Sequence, residues 1–185
     1  MLDDGLTRCA WATSAPDYVR YHDEEWGRPL RGERNLFERM SLEAFQSGLS
    51  WLTILRKREN FRAAFADFEP AKVAAFDEAD RARLMADAGI VRNGMKVDAT
   101  IANARAVLEL DTPLDELLWS FAPRDHVRPA TLADVPAITP ESTAMAKELK
   151  RRGFRFVGPT TSYALMQAVG LVDDHVASCF RSTPD

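Results

Sequence analysis

Apolar residues recur along most of the chain with the 3.6-residue period of amphipathic helices. Leu36, Met40 and Ala44 share one face over residues 35–47, and Gly48 supplies a stop. Trp51, Ile54, Leu55, Phe61 and Phe65 mark a helix over 50–66. Pro70 opens a short one that runs through Phe76, and Leu84, Met85 and Ala88 belong to the next, ended by Gly89. Val97, Ile101, Ala104 and Leu108 make an i, i+4, i+7, i+11 stripe within 95–110. Thr112-Pro113 and Thr139-Pro140 each read as an N-cap followed by a first-turn proline, the second opening a helix that runs to Arg152 and stops at Gly153. Two more helices are expected over 160–169 and 173–180, and only Arg155-Phe156-Val157 reads as extended. The pattern predicts an all-α fold, a multi-helix globule with residues 1–185 in a single domain.

Composition changes this picture little. The 46% hydrophobic and 28% charged fractions are ordinary for a globular protein. No apolar run is long enough for a transmembrane helix, and the first residues lack a secretory pattern, so a cytoplasmic protein without membrane contact is expected. The net charge of −4 argues by itself against nucleic-acid binding. Its distribution matters more. Lys147, Lys150, Arg151, Arg152 and Arg155 cluster with only Glu148 opposing them, and Arg56-Lys57-Arg58 form a smaller group. Solvated helix ends would give the same pattern.

Three constellations could carry chemistry. Cys9 and His22 lie near one end, His175 and Cys179 near the other, the latter four apart on a predicted helix face. Together they suit a closed tetrahedral zinc site, although each pair alone fits core packing as well. Next, three of the 4 tryptophans and two of the 3 tyrosines fall in the first third of the chain: Trp11, Tyr18, Tyr21, Trp26 and Trp51. Flat rings suit a planar ligand, and they also suit a core. Finally, Glu43 follows Leu36 and Met40 at i+7 and i+3, which puts a carboxylate on the edge of an apolar face. It implies either a charged or donor-rich ligand or a plain salt bridge. The tight connection from Asp87 to Lys96 could offer backbone N–H groups to a phosphate, or be an ordinary helical hairpin.

Several stretches, in order along nearly the whole chain, carry a resemblance: Arg8-Cys9-Ala10-Trp11, Tyr21-His22-Asp23-Glu24-Glu25-Trp26-Gly27, Leu42-Glu43 through Ser47-Gly48-Leu49-Ser50-Trp51, Lys57-Arg58-Glu59-Asn60, Asp87-Ala88-Gly89-Ile90, Arg152-Gly153-Phe154-Arg155-Phe156-Val157-Gly158-Pro159-Thr160 and Leu171-Val172-Asp173-Asp174-His175-Val176. The sequence resembles the 3-methyladenine DNA glycosylase I family. That resemblance implies a divergent helix-hairpin-helix DNA glycosylase fold, with the hairpin near 85–97 and the termini joined by one structural Zn2+ on Cys9, His22, His175 and Cys179. It implies a monofunctional enzyme that excises 3-methyladenine from damaged double-stranded DNA, acting as a monomer. Glu43 is then the catalytic candidate, and Tyr21 and Trp51 belong to the base pocket, with Trp11, Tyr18 and Trp26 as neighbouring aromatics. Gly48, Leu49, Gly89, Lys96, Arg152, Arg155, Gly158 and Thr160 fall on DNA-contacting segments. The family hairpin is more basic than Gly94 here, and Pro159 has no N–H to offer a phosphate. No aspartate is assigned to stabilise a sugar cation. Two other classes fit the residues, a non-catalytic damage sensor and a zinc-stapled interaction module.

Overall fold

The computed structural model describes residues 4–182. Among these, every regular element is helical. The α-helices are α1 (Pro16–Glu24), α2 (Glu33–Gln46), α3 (Trp51–Ala64), α4 (Pro70–Ala74), α5 (Glu78–Ala86), α6 (Gly94–Leu108), α7 (Leu114–Trp119), α8 (Pro140–Arg151) and α9 (Pro159–Ala168). Short 3-10 turns stand at Ala10–Ser14, Ala66–Phe68, Leu132–Asp134 and Phe180–Ser182.

Helix α2 is the central element. Every residue from Leu36 to Phe45 is buried, charged ones included, because α3, α6, α7 and α9 all pack around it. Phe37, Phe45, Phe61, Phe65 and Phe68 are fully buried within one continuous core, in edge, tilted and stacked contacts 4.6–6.2 Å apart. Cys9, Val176 and Cys179 form a separate small cluster where the two ends of the chain meet.

Local signals explain most boundaries. Thr139 caps α8 through a reciprocal pair with Ser142, and Pro140 occupies the first turn. Gly153 ends it at φ +88°. Elsewhere the expectations need correction. Helix α7 begins at Leu114 with Pro113 as its uncapped N-cap, so Thr112 does no capping. Helix α4 ends at Ala74 and α5 at Ala86, where Asp87 turns to ψ 108°, leaving Ala88 outside. Leu108 is the final residue of α6 and 54% exposed, whereas its neighbour Val107 is buried.

Residues 173–180 do not form a helix. Several of their backbone N–H groups are taken outside any helical ladder: His175 donates to the Asp173 side chain, Ala177 to the Pro129 carbonyl and Phe180 to the Thr7 carbonyl. No i to i−4 ladder can form once those donors are spent. The Arg155–Val157 stretch is not a strand either. Phe156 sits at φ +56°, and Asn103 clamps the Arg155 backbone from both sides, at 2.7 and 3.0 Å. No helix among the described residues is long and apolar enough to cross a membrane.

Candidate active site and metal centre

A cavity of about 530 Å³ opens between α1, α2, α3 and α9. Its lining includes Trp11, Tyr18, Tyr21, Trp26, Trp51 and Glu43, all six pocket candidates read from the sequence. Gln46, Leu132, Val135, Ala164, Gln167 and Asp174 complete the wall. The aromatic residues brace one another. Trp11 meets Tyr18 and Trp26 edge-on at 5.5 and 5.1 Å, and Tyr21 lies 5.4 Å from Trp51. The Tyr18 hydroxyl accepts the Leu52 N–H at 2.9 Å, tying α1 to the start of α3. The buried Trp51 indole N–H has no partner, which leaves a donor available to a ligand.

Glu43 is 5% exposed. Burial pushes its carboxyl up to about 7, and the nearby Arg39 guanidinium opposes that rise. Arg39 itself is buried and donates to the Tyr21 hydroxyl at 3.0 Å and to Glu25 at 3.1 Å. Sequence reading missed it, because an arginine beside Glu38 on a helix reads as a solvent position. The available signal was its spacing, one turn before Glu43. Asp174 was missed too. It is 1% exposed, with Oδ2 held by Tyr163 and Gln167, both at 2.7 Å.

The metal candidates converge at the chain ends. Ligand atoms of Cys9, His22 and Cys179 all lie within 4.8 Å of one another, and all three residues are buried. The His175 ring is 4.9 Å from that of His22, and its Nε2 is buried without a partner. Each histidine engages a carboxylate through Nδ1, His22 with Asp23 and His175 with Asp173, both at 2.7 Å. Such a contact turns the other ring nitrogen toward a metal. Arg8 and Arg128 hold those carboxylates in turn. Burial pushes the Cys9 thiol up to about 12, so a thiolate there calls for a cation. Gly27, at φ +75°, keeps the approach open, since a Cβ there would lie 2.8 Å from His175 Cε1. The donor set and the orphaned nitrogen fit tetrahedral zinc.

The expected DNA-contacting residues divide. Gly48 (φ +82°) and Leu49 are exposed in the loop between α2 and α3. Arg155 is exposed, and Gly158 and Thr160 stand at the open start of α9. Lys96 is a correction. It is 6% exposed, and its ammonium donates to the carbonyls of Phe45 and Ser47 at 2.7 and 2.6 Å. It anchors the Gly48–Leu49 loop to the start of α6 instead of presenting its charge to a phosphate. At the hairpin, the Gly89 N–H is already taken by Asp87, and its carbonyl accepts from Lys57. Arg152 is paired with both Glu148 and Asp111, so the basic cluster is more neutralised than the sequence suggested.

Comparison with known proteins identifies the family and the fold. The sequence model for methyladenine glycosylase matches residues 11–182. The chain is 48% identical to DNA-3-methyladenine glycosylase 1 of Escherichia coli K12, across 94% of this chain and 96% of that protein. A crystal structure of 3-methyladenine DNA glycosylase I superposes with a TM-score of 0.92 at 46% identity, covering 96% of this chain and 100% of that one. A variant of such an enzyme, solved in complex with 3-methyladenine, gives a TM-score of 0.90 at 35% identity, with 96% and 98% covered. The chain belongs to the methyladenine glycosylase family.

Proposed function

We propose that this protein is a monofunctional DNA glycosylase that hydrolyses the N-glycosidic bond of 3-methyladenine in alkylated duplex DNA. The single observation that carries this reading is the buried Glu43 carboxylate facing a ring-walled cavity. Its support is the family membership and a relative solved with that base. The damaged base leaves the stack, at less cost for a lesion that pairs poorly. Trp51 and Tyr21 enclose it, and ionised Glu43 accepts hydrogen bonds from its donors. The lesion is cationic and already a good leaving group, so tight recognition of the charged base suffices and water takes the sugar carbon. Release of free 3-methyladenine in a single turnover separates this reading from a damage sensor.

A lyase activity would need an amine nucleophile. No lysine lines the cavity, and Lys96 and Lys57 both spend their ammonium groups on backbone carbonyls. Borohydride is therefore expected to trap no covalent protein–DNA adduct. A stoichiometric adduct would overturn the monofunctional assignment.

We propose further that Cys9, His22, His175 and Cys179 hold one structural zinc. Four protein ligands leave no open position, so the ion supplies folding energy and no reactive water.

For DNA binding by a monomer, the exposed segments at Gly48–Leu49, Arg155 and the start of α9 form the proposed contact surface. Arg155→Ala should weaken lesion-bearing and undamaged DNA about equally and lower the salt slope by about one. Arg152→Ala should cost less, because Glu148 and Asp111 already take its charge. Titrations at several salt concentrations check this, and a loss confined to lesion DNA would place Arg155 in the pocket instead.

A further inference from the structure

Arg39 lies behind the cavity wall without lining it. It is 7% exposed and one turn before Glu43 on α2, so both side chains leave the same face. Burying a guanidinium is costly unless it is well paired, so its position calls for partners. Its Nη1 donates to the Tyr21 phenol oxygen at 3.0 Å, and its Nη2 donates to Glu25 at 3.1 Å. Glu25 is held from the other side by Arg58, at 2.6 and 2.8 Å. The guanidinium carbon lies 5.3 Å from the centre of the Tyr21 ring and 5.7 Å from that of Trp51.

We infer that Arg39 is a positioning residue for base recognition, which fixes the Tyr21 hydroxyl as a donor into the pocket and supplies the positive charge that opposes the burial of the Glu43 carboxylate. This rests on the base-pocket reading above. Arginine can only donate, so the phenol oxygen must accept, and the phenol hydrogen is left for the cavity that Tyr21 lines. The charges point the same way. Arg39 and Arg58 carry two positive charges, and Glu25 returns one negative charge. The set balances only when Glu43 is ionised.

The other charged groups around α2 have partners of their own. Arg62 from α3 pairs with Glu38, and Lys96 from α6 binds backbone carbonyls. Asp115 from α7 pairs with Arg31, Asp67 of the 3-10 turn after α3 pairs with Arg34, and Asp174 takes donors from Tyr163 and Gln167 of α9. Arg39 is thus the cation that opposes the burial of Glu43, and no other charge shifts that carboxyl clearly.

The test follows the Glu43 side-chain carboxyl carbon by NMR across pH, with its signal identified by its loss in Glu43→Gln. It compares the parent with Arg39→Gln, Arg39→Met and Arg39→Lys. Excision from methylated duplex DNA is measured beside it at pH 6.5 and 8.5. Both charge-removing variants should raise the Glu43 midpoint by about one unit, and the loss of excision should be roughly fivefold greater at pH 6.5 than at pH 8.5. Arg39→Lys should hold the midpoint near that of the parent. Arg39→Gln keeps a donor for Tyr21, so it serves if Arg39→Met does not fold. A folded Arg39→Gln protein that titrates Glu43 where the parent does, or loses activity equally at both pH values, overturns the assignment. A parent that releases no base at either pH overturns the base-pocket reading instead, and the NMR midpoints still decide the role of Arg39 in holding the charge.

Discussion

Glu43→Gln should weaken recognition of 3-methyladenine by about 1–3 kcal/mol while making the empty protein more stable. The two effects have one cause. Burial holds the Glu43 carboxyl up at about 7, against an ordinary value of 4.5. The folded state therefore binds this proton more tightly than the unfolded chain does. Stability from the protonated form is complete below pH 4.5 and is lost as pH rises through 7. At pH 8 the ionised carboxylate costs up to about 3 kcal/mol. Glutamine does not ionise, so the variant should melt higher at pH 8 and match the parent near pH 4. Recognition runs the other way. An ionised carboxylate can only accept, and it attracts a cationic base strongly in a dry site. Glutamine removes the charge and adds a donor that faces the donors of the base. Discrimination against adenine should fall together with affinity, whereas Trp51→Ala should lose affinity with its charge preference intact. Melting curves at the two pH values and binding of the free base check both halves. Unchanged binding in a folded Glu43→Gln protein would make Glu43 a structural residue. This is a stability cost retained at a functional position.

Cys179→Ala, or removal of zinc by a chelator, should destabilise the protein on the order of 2–5 kcal/mol, by analogy with the loss of a disulfide that joins distant parts of a chain. For a chain of this size that is roughly 5–15 °C in Tm. The effect should reach the pocket, which the sequence alone would not suggest. Trp11 lies 5.4 Å from the His22 ring, and Trp26 lies 4.7 Å from the His175 ring, while both tryptophans line the cavity. Asp174, another lining residue, immediately precedes His175. Loosening the chain ends should therefore weaken base binding several-fold even in protein that stays folded. Metal analysis and calorimetry read the first part, and free-base titration reads the second. Protein prepared without chelator that contains no zinc would overturn the metal assignment.

The helices that form the core were legible because their apolar faces repeat with the right period, as in α2, α3, α6 and α8. The first helix, α1, was not, because Tyr21 and His22 are buried by the site around them and the rest of its residues are polar or half-exposed. The stretch from Asp173 to Phe180 has helical spacing but gives its backbone donors to Pro129 and Thr7, contacts distant in sequence. His175 and Cys179 nevertheless come close, through a turn in place of a helix face. For the site, ring residues and the Cys and His pairs announce themselves by type. Charged residues do not, since Lys96 and Arg39 look like surface positions until the structure shows what they hold. Lys96 anchors a loop, and Arg39 holds the Tyr21 hydroxyl.

The central claim is that this ring-walled, carboxylate-bearing cavity excises 3-methyladenine. The direct measurement separates by chromatography the bases released from methylated duplex DNA by the parent protein and by Glu43→Gln. Free 3-methyladenine should appear with the parent, in preference to unmodified adenine, with no strand cleavage by the protein itself and with release by Glu43→Gln reduced about tenfold or more. Parent protein that binds the DNA and releases no base, or a folded Glu43→Gln protein that releases it as fast as the parent, would contradict it.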